Sequence, residues 1–197
     1  FVQQGCDAKR LLKTICCSRV YQLSSELTPQ RDLDGQLATH RLLRRLPAEV
    51  LLDAVNQVTG AREAFPGQPI GTRAVALPDP SIVSSFLTTF GRPLRNNPCE
   101  CARSANPDLA QALLMANGEV LQNKVATADG TLSRLLAAGK SDEEITEELY
   151  LAALSRRPTP VELQVVRESI AEVDTRDSAW QDVLWALLNS SEFVFQH

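Results

Sequence analysis

The sequence predicts a mainly α fold: an irregular helical bundle with a loop-rich central segment and at most one short pair of strands. Two observations predict it. Apolar residues recur at spacings of three and four along most of the chain, and residues typical of helix starts and ends bracket these runs. In contrast, side chains alternate in the pattern of a strand only at 73–77, and Pro78 ends that run at once. Residues 73–77 are therefore predicted to be an extended connector or one short strand.

Two helices are predicted in the first sixty residues. The first covers 7–23, and Cys16, which lies on its apolar face, is expected to be buried as a small apolar side chain. The stripe on that face is Leu12, Cys16, Val20 and Leu23. The second helix covers 47–59, because Pro47 suits the first helical turn and Gly60 suits the residue just past the end.

The central segment, residues 61–107, is predicted to be rich in loops. Pro, Gly and Asn are frequent in 61–80 and in 91–107, and these residues interrupt regular structure. Between them, one short helix is predicted to open at Asp79-Pro80 and to close at Gly91. Further helical segments are predicted at 107–117, near 119–126 and near 131–138.

The last third of the chain is acidic, since residues 140–197 carry five basic and twelve acidic side chains. Ser141 and Glu144 have the spacing of a capping box, in which the Ser and Glu side chains each bond the backbone N–H of the other. Thr159 and Glu162 repeat this spacing with a proline between them, so two helices are predicted to begin at these sites.

The final helix is predicted to start at a cap by Ser178 and to close the hydrophobic core. Its apolar stripe consists of Trp180, Leu184, Leu187 and Leu188. A chain of 197 residues buries enough surface to fold without disulfides. Its length fits one large domain or two small ones, and we expect one helical domain, residues 1–197.

Composition excludes several classes of protein. Hydrophobic residues make up 44% of the chain and charged residues 22%, which is typical of a globular protein and not of a disordered one. The net charge of −4 disfavours a nucleic-acid partner. No apolar run approaches the roughly 18 residues of a membrane span, so none is expected in this segment.

The most unusual chemistry lies at Cys99-Glu100-Cys101. One intervening residue makes a disulfide between the two cysteines strained, and five cysteines in all leave at least one without a mate inside the chain. Three interpretations stay open: structural thiols or long-range disulfides, metal ligands at Cys99 and Cys101, or a redox pair. His40 and His197 are the only imidazoles, and nothing in the sequence brings them near.

Arginines surround these cysteines. Arg92, Arg95 and Arg103 either bond helix-end carbonyls and nearby carboxylates or form an anion pocket that lowers the thiol pKa. The candidate functional loop is therefore Arg92, Arg95, Cys99, Glu100, Cys101 and Arg103. The nucleophile elbow, phosphate-binding loop, dinucleotide fingerprint and zinc-protease motif do not occur, so no catalytic residue is assigned.

A basic run follows His40. Arg41 and Arg45 are four residues apart and would share a helix face. This face is interpreted either as a site for phosphate or an acidic partner, or as a solvated face on which an arginine pairs with Glu49.

Linear motifs along nearly the whole chain resemble a known family. Gly71-Thr72-Arg73-Ala74, Phe90-Gly91-Arg92-Pro93 and Cys99-Glu100-Cys101 are the most distinctive of them. The others lie at residues 42–54, 57–60, 77–79, 86–87, 111–113, 117–118, 148–151, 157–159, 184–190 and 192–193. As a set they resemble the planctomycete surface domain of unknown function, the C-terminal domain of cytochrome-c-associated surface proteins.

The resemblance implies no established activity. It implies an extracytoplasmic location, at the cell surface or in the periplasm, and a larger multidomain parent of which this chain is the C-terminal part. Any haem belongs to a separate upstream domain, so no cofactor is expected here, and disulfides among the cysteines become favoured. The leading hypothesis is a non-enzymatic interaction or scaffolding domain, whose partners are upstream domains of its own chain and a further protein or polysaccharide. The alternatives are a hydrolase-type or polysaccharide-acting domain with its site in residues 91–103, and a metal-binding module.

Overall fold

The computed structural model describes residues 1–2, 5–25, 40–41, 43–93, 111, 113–115, 118–173 and 175–196. The chain divides into two compact units. The N-terminal unit is Phe1–Arg44 with Phe195–His197, and the helical unit is Arg45–Val194. No helix among the described residues combines the length and the apolar character needed to cross a membrane. The assignment of residues 1–197 to a single domain stays a prediction.

The N-terminal unit contains one described helix, α1 (Ala8–Cys16). The side chain of Asp7 caps it by accepting the backbone N–H of Arg10 at 3.1 Å. The helix ends at Cys16 and does not reach residue 23, because the hydroxyl of Ser18 accepts the N–H of Tyr21 and the chain turns there. No residue of α1 is buried, so the expected burial of Cys16 is wrong.

Two strands of two residues each, β1 (Arg44–Arg45) and β2 (Phe195–Gln196), pair in an antiparallel sheet. This is the only sheet within the described ranges, and it confirms a mainly α fold with at most one short strand pair. Because Arg45 belongs to a strand, the prediction that Arg41 and Arg45 share a helix face is wrong.

The helical unit contains the remaining described elements. In chain order they are α2 (Ala48–Thr59), a 3-10 helix (Ala74–Ala76), α3 (Ser85–Thr89), α4 (Glu119–Val125), α5 (Thr131–Ala137), α6 (Asp142–Leu154), α7 (Pro160–Ala171), α8 (Arg176–Leu188) and α9 (Ser191–Val194). Residues 111 and 113–115, which fall in another predicted helix, are also helical.

The hydrophobic core lies between α2 and α8, since α4, α5 and α6 each pack against both of these helices. Leu51, Leu52 and Val55 of α2 are fully buried, as are Trp180 and Leu184 of α8. The prediction that the final helix closes the core is confirmed.

Both predicted capping boxes are present, at Ser141 with Glu144 and at Thr159 with Glu162. The predicted cap of the final helix is wrong, because α8 begins one residue after Thr175 and includes Ser178.

The central segment is rich in loops as far as residue 93, and residues 94–110 lie outside the described ones. The short helix α3 begins at Ser85, where the hydroxyl of Ser84 accepts the N–H of Leu87, and not directly after Pro80. Residues 73–77 form neither of the predicted arrangements, since Ala74–Ala76 is a 3-10 helix.

Candidate functional site

Of the six residues in the predicted functional loop, the structure describes Arg92. Its Nη2 donates to the carbonyl oxygen of Asp79 at 3.0 Å, and its Nη1 donates to that of Ile82 at 3.4 Å. Its Nε lies 4.0 Å from a carboxylate oxygen of Glu49. Arg92 therefore donates to two loop carbonyls and forms an ion pair with a carboxylate, whereas the first interpretation of this loop expected carbonyls at helix ends. The other five residues, Arg95, Cys99, Glu100, Cys101 and Arg103, lie outside the described residues.

Arg45 is not on a solvated face. Its Nη2 donates to the carbonyl oxygen of Phe90 at 3.1 Å, and its guanidinium carbon lies 5.1 Å from the centre of the Phe90 ring. Burial lowers the pKa of Arg45. Arg45 therefore contacts the end of α3, and its interpretation as part of a solvated face is wrong.

The three cysteines that the structure describes are Cys6, Cys16 and Cys17, and all are exposed free thiols. Within the described ranges, no three His, Cys, Asp or Glu side chains come together in a way that could hold a metal ion. Cys99 and Cys101, the metal candidates from the sequence, lie outside those ranges.

A first polar cavity lies beside α2 and has a volume of about 380 Å³. Next to it, Nζ of the buried Lys124 donates to Oδ1 of Asn56 at 2.7 Å and forms an ion pair with Glu63. The carboxylate of Asp53, also buried, accepts two backbone N–H groups. These groups already have partners inside the protein, so the cluster is interpreted as structural.

A larger groove, of about 590 Å³, runs between α7 and α8. Four carboxylates form its acidic rim, and these are Glu162, Glu172, Asp182 and Glu192. Its floor is apolar and consists mainly of Leu154, Val165, Val166, Val173, Ala179, Val183, Trp185, Ala186 and Leu187. No lysine, arginine or histidine lines it among the described residues.

One arginine holds two of the rim carboxylates in place. Nε and Nη2 of Arg156 donate to the two oxygens of Glu192, each at 2.7 Å. Nη1 and Nη2 donate to the two oxygens of Glu162 at 2.9 and 2.8 Å. The guanidinium carbon also lies 5.6 Å from the centre of the Tyr150 ring. Such two-pronged bonds fix the geometry of both carboxylates as well as their charge.

The electrostatics of this cluster keep Glu162 ionised. The hydrogen bonds from Arg156, with further ones from Thr159, lower the pKa of Glu162 to about 2. Hydrogen bonds to the same two carboxylates raise the pKa of Arg156, and burial raises the pKa of Tyr150. The rim therefore carries fixed negative charge at neutral pH, while Tyr150 stays neutral.

Comparison with known proteins identifies the family. A family model described as "PSD1: Protein of unknown function (DUF1553)" matches residues 1–170. The chain belongs to the PSD1 family. The resemblance to a domain of unknown function, inferred from the linear motifs, is thereby confirmed. No curated protein and no solved structure matches this chain.

The PSD1 match includes Tyr150, Arg156 and Glu162 but ends before Glu192 and all of α8. The groove therefore combines a part inside the match with a part beyond it. Sequence reasoning identified Glu162 only as part of a capping box. The one available signal was the six-residue spacing from Arg156 to Glu162 across a helix–helix turn. Nothing local indicated that Glu192 would bond Arg156, from which it is 36 residues distant in the chain.

Proposed function

We propose that this PSD1 domain is a non-enzymatic interaction domain whose α7–α8 groove binds a basic, amphipathic helical segment of a partner. One observation carries the proposal: four carboxylates and no basic side chain line the apolar groove among the described residues, and Arg156, which is not a lining residue, bonds two of these carboxylates. An amphipathic helix presents an apolar stripe with polar flanks, which is the complementary pattern.

Charge favours a cationic partner. Arg156 balances one of the two carboxylates it bonds, and Glu172 and Asp182 on the rim are both exposed. The rim thus keeps a net negative charge, which attracts lysine or arginine side chains and increases the rate of association. The floor supplies the area that a partner can remove from water, and Val165 on α7 is 54% exposed.

The polar groups of the groove support binding over catalysis. A general acid at neutral pH needs a raised pKa, whereas the pKa of Glu162 is lowered to about 2. The hydroxyl groups of Ser169 and Ser190 donate to the carbonyl oxygens of Val165 and Leu187, at 2.9 and 2.7 Å. Neither serine has a base beside it in these bonds, so neither has the arrangement of an activated nucleophile.

The resemblance to cytochrome-c-associated surface proteins gives this proposal its setting. We propose an extracytoplasmic scaffolding role, in which the domain holds a partner protein near the upstream domains of its own chain. A cytochrome-c-like domain in that chain, as the resemblance implies, would carry any haem. The interaction itself needs no cofactor in this domain.

The test measures binding of a synthetic amphipathic helix with leucines on one face and lysines on both flanks. The full chain should bind this peptide and not the same peptide with glutamates in place of the lysines. Glu172→Lys/Asp182→Lys should weaken binding about tenfold or more, because two attractions become repulsions. The matched control is Glu119→Lys/Asp129→Lys, which changes net charge equally at exposed residues that do not line the groove.

A second pair of variants tests the apolar floor. Val161 and Val165 are both exposed on α7, but only Val165 lines the groove. Val165→Ser should weaken peptide binding, and Val161→Ser should leave it unchanged. Equal effects within either matched pair would show that the peptide does not bind in the groove, and the proposal would then be wrong.

A further inference from the structure

The N-terminal unit contains a further pocket, of about 410 Å³, that the proposed function does not use. Apolar and aromatic side chains line one part of it, namely Ile15, Val20, Tyr21 and Leu23. The other part is basic, with Arg41 and Arg44 beside His40. No carboxylate lines it among the described residues, so its charge is opposite to that of the α7–α8 groove.

The apolar wall is built by a turn after α1. The N–H of Ser18 donates to the carbonyl oxygen of Ile15 at 3.0 Å, and the N–H of Gln22 donates to that of Ser18 at 3.2 Å. With the bond from the Tyr21 N–H to the Ser18 hydroxyl, these contacts hold Val20 and Tyr21 outward. Val20 is 67% exposed and Tyr21 49% exposed, so this apolar surface is open to a ligand.

The basic wall is fixed to the same turn. The backbone N–H of Arg41 donates to the carbonyl oxygen of Ser24 at 3.0 Å. The guanidinium carbon of Arg41 lies 5.4 Å from the centre of the Tyr21 ring, a cation–π contact. An arginine stacked in this way keeps the edge of its guanidinium available for a carboxylate, while Arg44 supplies a second, exposed cation.

We propose that this pocket binds an acidic peptide segment in which one apolar side chain is flanked by carboxylates. The apolar side chain fills the space against Val20 and Leu23, and the carboxylates bond Arg41 and Arg44 as arginine–carboxylate pairs. The volume of about 410 Å³ is near the small end of ligand sites, which fits one side chain and its flanks. Charge complementarity thus selects the partner, and the site is independent of the α7–α8 groove.

The experiment uses the full chain and a labelled peptide with one central phenylalanine flanked by glutamates. Binding is measured by fluorescence anisotropy, with two comparison peptides: glutamine replaces the glutamates in one, and alanine replaces the phenylalanine in the other. The peptide with phenylalanine flanked by glutamates should bind, and both comparison peptides should bind about tenfold more weakly. Raising the salt concentration should weaken binding of the acidic peptide, since the charges are exposed.

Substitutions in this pocket test whether the peptide binds there. Arg41→Gln and Arg44→Gln should each weaken binding several-fold. Arg10→Gln, which removes the same charge from an exposed residue of α1 outside the pocket, should not. Equal losses in all three variants would mean attraction to overall charge and would overturn the proposal. Preferential binding of anionic lipid vesicles over the peptide would overturn it in favour of a membrane surface. The lysine-flanked peptide reports separately on the α7–α8 groove, so either proposal can fail alone.

Discussion

The carboxylate of Asp53, on α2, accepts the backbone N–H of Ala74 at 2.6 Å and that of Val75 at 3.2 Å. Asp53 is buried, so these two bonds hold the start of the 3-10 helix against the middle of α2. Nε of Arg73 lies 3.5 Å from the same carboxylate. The aspartate therefore acts as a cap supplied from 21 residues away.

Replacement of Asp53 should destabilise the protein. Asp53→Ala leaves two backbone N–H groups without their acceptor, and we expect a loss of about 2–3 kcal/mol in the free energy of unfolding. Urea denaturation measures this loss in the free energy of unfolding. Asp79→Ala is the control, because Asp79 accepts the N–H of Ser81 within an exposed turn, where water can replace it. A loss for Asp53→Ala no larger than that for Asp79→Ala would contradict the capping role.

The contact between Asp53 and the start of the 3-10 helix explains one failure of sequence reasoning. Residues 73–77 alternate between polar and apolar character, as a strand does, but the acceptor that makes Ala74–Ala76 helical belongs to α2. In contrast, the capping boxes at Ser141 and Thr159 were predictable because both partners lie within four residues. Local pairs can be read from a sequence, whereas pairs between distant residues depend on the packing.

The same distinction applies to the candidate site. The acidic last third was evident from composition, and Glu162 was evident as a cap. The acidic rim was not evident from the sequence, because Arg156 joins Glu162 to Glu192 only when α7 and α9 come together. The exposure of α1 was missed for a related reason: periodic apolar residues indicate a face and not what covers it.

The core position of α8 leads to a second prediction. Leu184 is fully buried, so Leu184→Ala should lower the free energy of unfolding by about 2–5 kcal/mol, the cost of lost contacts and of a cavity. Leu151→Ala makes the same change on α6 at a side chain that is 43% exposed, and should cost far less. The two variants are compared by thermal and urea denaturation. Similar losses would show that α8 does not close the core.

The Arg156 cluster leads to a third prediction, which uses the two capping boxes as a matched pair. Glu162→Gln keeps a capping side chain at the third helical position but removes the charge that Arg156 bonds. Glu144→Gln makes the same change in a box to which Arg156 does not bond. Glu162→Gln should cost about 1–2 kcal/mol, since Arg156 is 35% exposed and solvent screens the pair, and it should cost more than Glu144→Gln.

The pH dependence of the stability difference between the wild-type protein and Glu162→Gln tests the cause of that difference. The pKa of Glu162 is lowered from 4.5 to about 2, so the folded protein binds its proton less tightly than the unfolded chain does. The stabilisation is therefore fully present above pH 4.5 and is lost as the pH falls toward 2. Urea midpoints of the wild-type protein and of Glu162→Gln, measured from pH 7 downward, should differ most near neutrality and converge in acid. A difference in urea midpoint that stays constant across this pH range would mean that Glu162 acts through packing and not through its charge.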